Sequence, residues 1–254
     1  MSERIRILNV PVDMVTTGEA LERFKAFLEQ EGCDLIVTPN SEIVINAGKN
    51  KDLQYAIEQA SLVIPDGIGI VYASRILKHP LKERVTGIDF LGKALEHLAK
   101  TGGSVFLFGS KPGIAERAGA NMQAAYPGLV VAGTRNGYFS PQEEEEILEE
   151  INRARPDLLC VALGSPKQEL FVLKYQKRLQ VKAAIGVGGS LDVWSGELKR
   201  APEFYRRHGL EWLYRLMQEP SRYKRMAALP LFMIRVMFSK KSPAQDFETE
   251  REKD

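Results

Sequence analysis

The chain has 254 residues, 44% of them hydrophobic and 27% charged, with a formal net charge of only +2 at pH 7. That balance describes an ordinary soluble core, ample for one large α/β domain or for a domain with an appendage. It excludes a disulfide framework, because the only cysteines, Cys33 and Cys160, each adjoin an apolar strand-like run. It also excludes a bilayer span, because no run reaches ~18–20 uninterrupted apolar residues.

The opening segment MSERIRILNVPVD is too polar for a signal peptide and predicts an extended pair, IRILNV and VDMVT. A helix follows over about residues 19–30, then strand DLIVTPN, helical stretches within 41–60 and strand LVIPDG. Helices are expected near 68–78 and 88–100, then strand SVFLFGS, helix 112–125, strand LVVAGT and helix 141–154. Strand DLLCVALGS, helix 166–179 and strand AAIGVGGS complete the alternation. Continuous β-branched and Leu-rich strands separated by amphipathic helices predict a parallel sheet covered on both faces. Three helix starts, Thr16–Glu19, Ser140–Glu143 and Ser165–Gln168, fit the S/T-x-x-E/Q capping box, the latter two with Pro at the first helical position. The EEEE run at 143–146 reads as a solvated first turn favoured by the helix dipole.

Near Trp194 the alternation stops. From Lys199 to Lys241 there are 11 Lys/Arg against 3 Asp/Glu, a local net of +8. The division expected is therefore an α/β core over 1–200, a basic and apolar helical appendage over 201–240, and a charged, disordered tail over 241–254. The apolar stretch MAALPLFMIRVMF within the appendage is too short to span a bilayer, and beside basic residues it reads as a helix lying in the membrane interface. A nucleic acid partner is disfavoured, because it would leave that apolar face uncovered.

Several chemistries are not supported. Gly67-x-Gly69 and Gly186-x-Gly188 follow strands, but Tyr72 and Leu191 stand where a dinucleotide fingerprint needs its third glycine. There is no P-loop, no G-x-S-x-G elbow and no D-x-D pair, and His79, His97 and His208 have no metal-ligand spacing. What remains is a set of polar loops at strand ends, rich in Gly, Ser, Thr and Asn and placed ahead of helix N-termini, where free N–H groups suit phosphates and sugar hydroxyls. Among them Asp66 is a lone acid at the carboxyl end of a strand, where open α/β sheets bind ligands. The plain alternative is that Asp66 caps the next helix or makes a D-G turn.

Taken in order, these loops resemble the WecG/TagA/CpsF family of bacterial glycosyltransferases. The matching residues are TPN at 38–40, PDG at 65–67, Arg84 with TG-x-DF at 86–90, FGS at 108–110, NGYF at 136–139 and LGSPKQE at 163–169. GVGGSLD at 186–192, G-x-x-KRAP at 196–202 and GLEWLYRL at 209–216 complete the set, and the likeness runs from residue 5 to about 225. The resemblance implies a Rossmann-like fold. It implies transfer, with inversion, of an N-acetylmannosamine-type sugar from a UDP-sugar donor to polyprenyl-diphosphate-linked N-acetylglucosamine, as in wall teichoic acid linkage-unit assembly. No cofactor and no metal are expected, and the place of work is the cytoplasmic face of the membrane, peripherally bound to an anionic surface. The sequence leaves a homo-oligomer open.

The same resemblance implies that Asp66 is the base that deprotonates the acceptor hydroxyl. Thr38 and Asn40 would bind sugar or acceptor hydroxyls, although Asn40 also fits a helix N-cap. Arg84 would neutralise the leaving diphosphate, and Gln168 stands at a substrate-contact position that a capping box explains equally well. Gly109, Ser110, Gly137, Gly189 and Asp192 would line the UDP site, the glycines having tight turns as their plain alternative. Arg207, Arg215, Arg222 and Arg225 would clamp the lipid diphosphate, the last three sharing a face if one helix continues through Pro220; a solvated basic face is the alternative. From another class, a non-catalytic nucleotide-binding scaffold docked on the membrane accounts for the same loops and basic segment, and a dinucleotide oxidoreductase is a more distant third.

Overall fold

The computed structural model describes residues 3–220, 223 and 228–239. The chain opens as an antiparallel hairpin of β1 (Arg4–Ile7) and β2 (Val10–Asp13). Asp13 is fully buried but compensated: Arg4 and Arg23 ion-pair with it at 3.0 and 2.9 Å, and the Val63 amide donates to it at 2.7 Å. A buried carboxylate stays charged only with such partners; Arg4 lies within the hairpin, and the Val63 contact ties the hairpin to the main sheet.

In chain order the remaining elements are α1 (Thr17–Leu28), β3 (Asp34–Val37), α2 (Ser41–Ala47), α3 (Lys51–Glu58), β4 (Leu62–Val63), α4 (Ile68–Ile76) and α5 (Gly87–Thr101). Next are β5 (Ser104–Gly109), α6 (Ile114–Ala125), β6 (Val130–Arg135), a 3-10 turn (Pro141–Glu143), α7 (Glu144–Ala154), β7 (Leu158–Ala162), α8 (Lys167–Tyr175) and β8 (Ala183–Gly186). The helices α9 (Ser190–Trp194), α10 (Glu203–Arg207), α11 (Glu211–Gln218) and α12 (Ala228–Ser239) follow.

Strands β3 to β8 form one parallel sheet in the order β4-β3-β8-β7-β5-β6. The period of two along each strand divides the core into two layers. Leu35, Val37, Phe106, Phe108, Leu159 and Val161 meet α2, α3, α4, α7, α8 and α12 on one face. Ile36, Val105, Leu107, Leu158, Cys160 and Ile185 meet α1, α5, α6 and α9 on the other. The expected doubly covered α/β fold is therefore present. Neighbours β3 and β8 send their following helices, α2 and α9, to opposite faces, which opens a crevice at their carboxyl ends.

Local expectations fared unevenly. Thr16–Glu19 and Ser140–Glu143 form capping boxes, the second around the 3-10 turn. Ser165–Gln168 does not: α8 starts at Lys167 after Pro166, and the Gln168 side chain is engaged elsewhere. The glutamate run is partnered rather than merely solvated, Glu143 by Arg135, Glu144 by Lys174 and Tyr175, and Glu145 by Arg178. Segment 190–194, expected as loop, is helical. Helix α11 ends at Gln218, because Glu219 takes an extended conformation (φ −131°, ψ 80°) ahead of Pro220, whose ring disfavours helix in the preceding residue. The helix that carries Arg215 therefore does not continue through Pro220.

Gly109 shows why one strand end is glycine. Its φ is +128°, and a Cβ there would stand 2.4 Å from the Ala162 carbonyl. Gly109→Ala should therefore lower stability by about 2 kcal/mol or more through overpacking and a strained φ. Chemical denaturation would measure this, and a variant as stable as the parent would contradict the close approach of β5 to β7.

Candidate active site

The carboxyl ends of the central strands open on a cleft of about 840 Å³, within the range of small-ligand sites. It lies over the β3/β8 crevice and takes its walls from the loops after β3, β4, β5, β6, β7 and β8, closed on one side by α11.

Asp66 reaches this cleft. Strand β4 is cut short, for Pro65 has no N–H to continue the ladder, and the Asp66 amide bonds instead to Pro39 O at 3.3 Å. Gly67, with φ +88°, then turns the chain into α4 as its N-cap, and no side chain caps that helix. The capping alternative for Asp66 thus falls away. Its carboxyl is pushed up to about 6, foremost by burial. Arg215 pulls it down, Glu211 pushes it up, and Arg84 and a hydrogen bond from the Gly87 backbone pull it down.

Around Asp66 stand groups able to hold hydroxyls. Asn40 is both N-cap and cleft residue: its Oδ1 accepts from the Glu42 and Ile43 amides at 3.0 and 3.1 Å, while its Nδ2 makes no hydrogen bond among the described residues. Thr38 lines the cleft with its hydroxyl 3.4 Å from Gly186 O. Gln168 lines the floor, almost wholly buried. Its Oε1 accepts from the Gly188 amide at 3.2 Å and its Nε2 donates to Glu169 Oε1 at 2.8 Å. A Cβ on Gly186 would lie 2.4 Å from that Nε2, so the glycine makes room for the amide. Glu169 is itself buried, which raises its carboxyl above the usual range.

Farther along, Ser110, Gly137, Gly189 and Asp192 line the cleft. Ser110 holds φ +58° with its amide on Ala162 O and its carbonyl on the Gly137 amide, each at 2.9 Å. Gly109 is not among the lining residues and serves strand packing. Of the arginines, Arg215 lines the cleft. Arg84 does not. Its Nη1 donates to Arg206 O at 3.2 Å and its Nη2 binds the Glu211 carboxylate. Arg207 points to solvent, paired with Glu203 at 2.9 Å, because the short α10 turns that face outward. Arg222 and Arg225 lie outside the described residues.

Sequence reasoning missed Glu211, Trp212, Lys111, Lys167 and Leu229, all of which line the cleft. The i, i+4 spacing of Glu211 and Arg215, which puts both on one face of a helix, was the available signal. Among the described residues no three His, Cys, Asp or Glu side chains gather as a metal centre.

A doubly wound sheet with a sugar-nucleotide-sized cleft at its crevice, a carboxylate of raised basicity and basic groups on the walls defines a group-transfer enzyme. The chain belongs to the glycosyl transferase WecG/TagA/CpsF family, whose model matches residues 5–246. It is 34% identical over 243 residues (96% of this chain, 94% of the relative) to a Bacillus spizizenii protein named N-acetylglucosaminyldiphosphoundecaprenol N-acetyl-beta-D-mannosaminyltransferase. Proteins of the same name from Bacillus subtilis are 35% identical (91% of this chain, 89% of the relative) and from Staphylococcus aureus 34% identical (94% of each).

Proposed function

We propose that this protein is an inverting hexosyltransferase that moves N-acetylmannosamine, or a close relative, from a UDP-sugar to undecaprenyl-diphospho-N-acetylglucosamine in wall teichoic acid linkage-unit assembly. Full-length similarity to relatives named for that transfer supports it, and the observation that carries the chemistry is the Asp66 carboxyl in the cleft just beyond β4, where burial favours proton uptake. Asp66 takes the proton of the acceptor hydroxyl as its oxygen attacks the anomeric carbon from the face opposite UDP. The bond to the diphosphate oxygen breaks and UDP leaves. Arg215, Lys111 and Lys167 meet the developing charge, work that a metal would otherwise do. A non-catalytic scaffold is not favoured, since the relatives carry an enzyme's name over nearly their whole length.

Because the base acts deprotonated, kcat/KM should fall about tenfold per unit as pH drops below about 6. Purified protein, UDP-N-acetylmannosamine and a short-chain prenyl-diphospho-N-acetylglucosamine, with UDP release followed by chromatography, test both the reaction and this limb. No release of UDP would overturn the assignment. The same assay with EDTA tests metal independence.

Gln168 leaves one Nε2 hydrogen for substrate, and Glu169 fixes which way that amide faces. Glu169→Leu should cost about tenfold in kcat, while Glu169→Gln, which keeps an acceptor oxygen, stays near the parent. Equal losses in both would reject this orienting role.

Peripheral docking on the inner leaflet belongs to the same reading. Among the described residues no helix is long and apolar enough to cross a membrane. Helix α12 buries Phe232 and Val236 against the core yet exposes Leu231, Ile234, Met237 and Phe238, so its outer side is apolar as well. Such a helix inserts into the headgroup boundary, and neighbouring Lys and Arg add about 1 kcal/mol each beside anionic lipid. Flotation with anionic rather than zwitterionic vesicles checks this.

A further inference from the structure

We infer that Glu211 is a positioning residue for the Asp66 base: it holds Arg84 away from the cleft and sets a second negative charge facing Asp66. The inference rests on the reading of Asp66 as base. It starts from the ion pair that joins Arg84, in the segment between α4 and α5, to Glu211 at the first turn of α11. The guanidinium is held twice, by the Glu211 carboxylate and by the Arg206 carbonyl, and both side chains are about one-fifth exposed. In so sheltered a place charges are weakly screened and act at short range on their neighbours. Glu211 and Arg215 lie one helical turn apart, and both line the cleft with Asp66. Helix α11 therefore brings to the base one group that raises its basicity and one that lowers it.

Remove Glu211, and Arg84 remains as an uncompensated cation near Asp66. Remove Arg84, and Glu211 remains as an uncompensated anion. The two halves of one ion pair must then move the base in opposite directions. The charged groups whose fields reach Asp66 are Arg84, Glu211 and Arg215, and the Gly87 backbone at the start of α5 hydrogen-bonds to it. Glu42 on α2, Lys111, Lys167 on α8 and Asp192 on α9 line the rest of the cleft and are the same in every variant.

The test measures kcat/KM against pH for the full-length parent, Glu211→Gln, Arg84→Gln and Asp66→Asn, with UDP-N-acetylmannosamine and a short-chain prenyl-diphospho-N-acetylglucosamine. Carboxyl 13C titration of Asp66 in the ligand-free proteins gives a reading independent of turnover. Glu211→Gln should shift the acid limb to lower pH by about half a unit or more, and Arg84→Gln should shift it to higher pH by a similar amount. Either variant alone decides the point if the other does not fold. Shifts in the same direction, or no shift with equal losses of thermal stability, would mean that the pair only straps α11 to the core. Full turnover in Asp66→Asn would instead reject Asp66 as base. A dead Asp66→Asn beside an unmoved Glu211→Gln limb would reject the role of Glu211 alone.

Discussion

Asp66→Asn lowers kcat by about 10²–10⁴-fold, the usual contribution of a positioned general base, and leaves UDP affinity and the fold in place. The substitution is close to isosteric, and an amide takes no proton from an attacking hydroxyl. Burial already disfavours the charged carboxyl, pushing it up to about 6, so a neutral amide relieves a desolvation cost. The variant should therefore melt no lower than the parent. Turnover of the lipid acceptor, calorimetry with UDP and a thermal melt together make the measurement. A loss of less than tenfold at pH 7 would remove Asp66 from the reaction. Lower affinity for UDP with unchanged kcat would make it a binding group instead.

A chain ending near residue 200 loses turnover on the lipid acceptor by two orders of magnitude or more, with a loss of stability alongside. Helix α11 contributes Glu211, Trp212 and Arg215 to the cleft wall, and without it one side of the site stands open to water. Charge stabilisation of a leaving diphosphate weakens steeply once solvent enters. Helix α12 carries two fully buried side chains, Phe232 and Val236, on the face it sets against α2 and α4. Exposing such groups, and the surface they cover, costs about 1.5–3 kcal/mol for each side chain. Leu229 of the same helix sits so close to Gly69 that a Cβ there would be 2.9 Å from its Cδ1. A second chain ending at Pro220 keeps α11 and loses α12, which separates closure of the site from membrane docking. Full activity in the shorter chain would mean that the core alone holds the acceptor.

Much of the site was legible before any coordinates. Pro65, Asp66 and Gly67 mark the end of a strand, an acid and a turn by their own chemistry, and Asn40 announces a helix start. The loops around Ser110, Gly137, Gly189 and Asp192 were marked by turn residues ahead of helices, and all four residues face one cleft. Gly109, in the same FGS segment as Ser110, was assigned to the ligand although its constraint is the backbone of Ala162. Nothing local to 109 distinguishes a glycine that admits a phosphate from one that admits another strand.

The sequence by itself determined the alternation of strands and helices, the two-sided burial of the sheet and the acid at its edge. Those features follow from periodicity, capping and turn chemistry, which act over a few neighbouring residues. Only the tertiary structure decided that Arg84 is held by Glu211, 127 positions away. It alone set Gln168 against Gly188 and turned Arg207 to solvent while Arg215 faced Asp66. Partners of this kind are chosen by which surfaces the winding of the sheet brings together, and a charge carries no local signature of the neighbour it will meet.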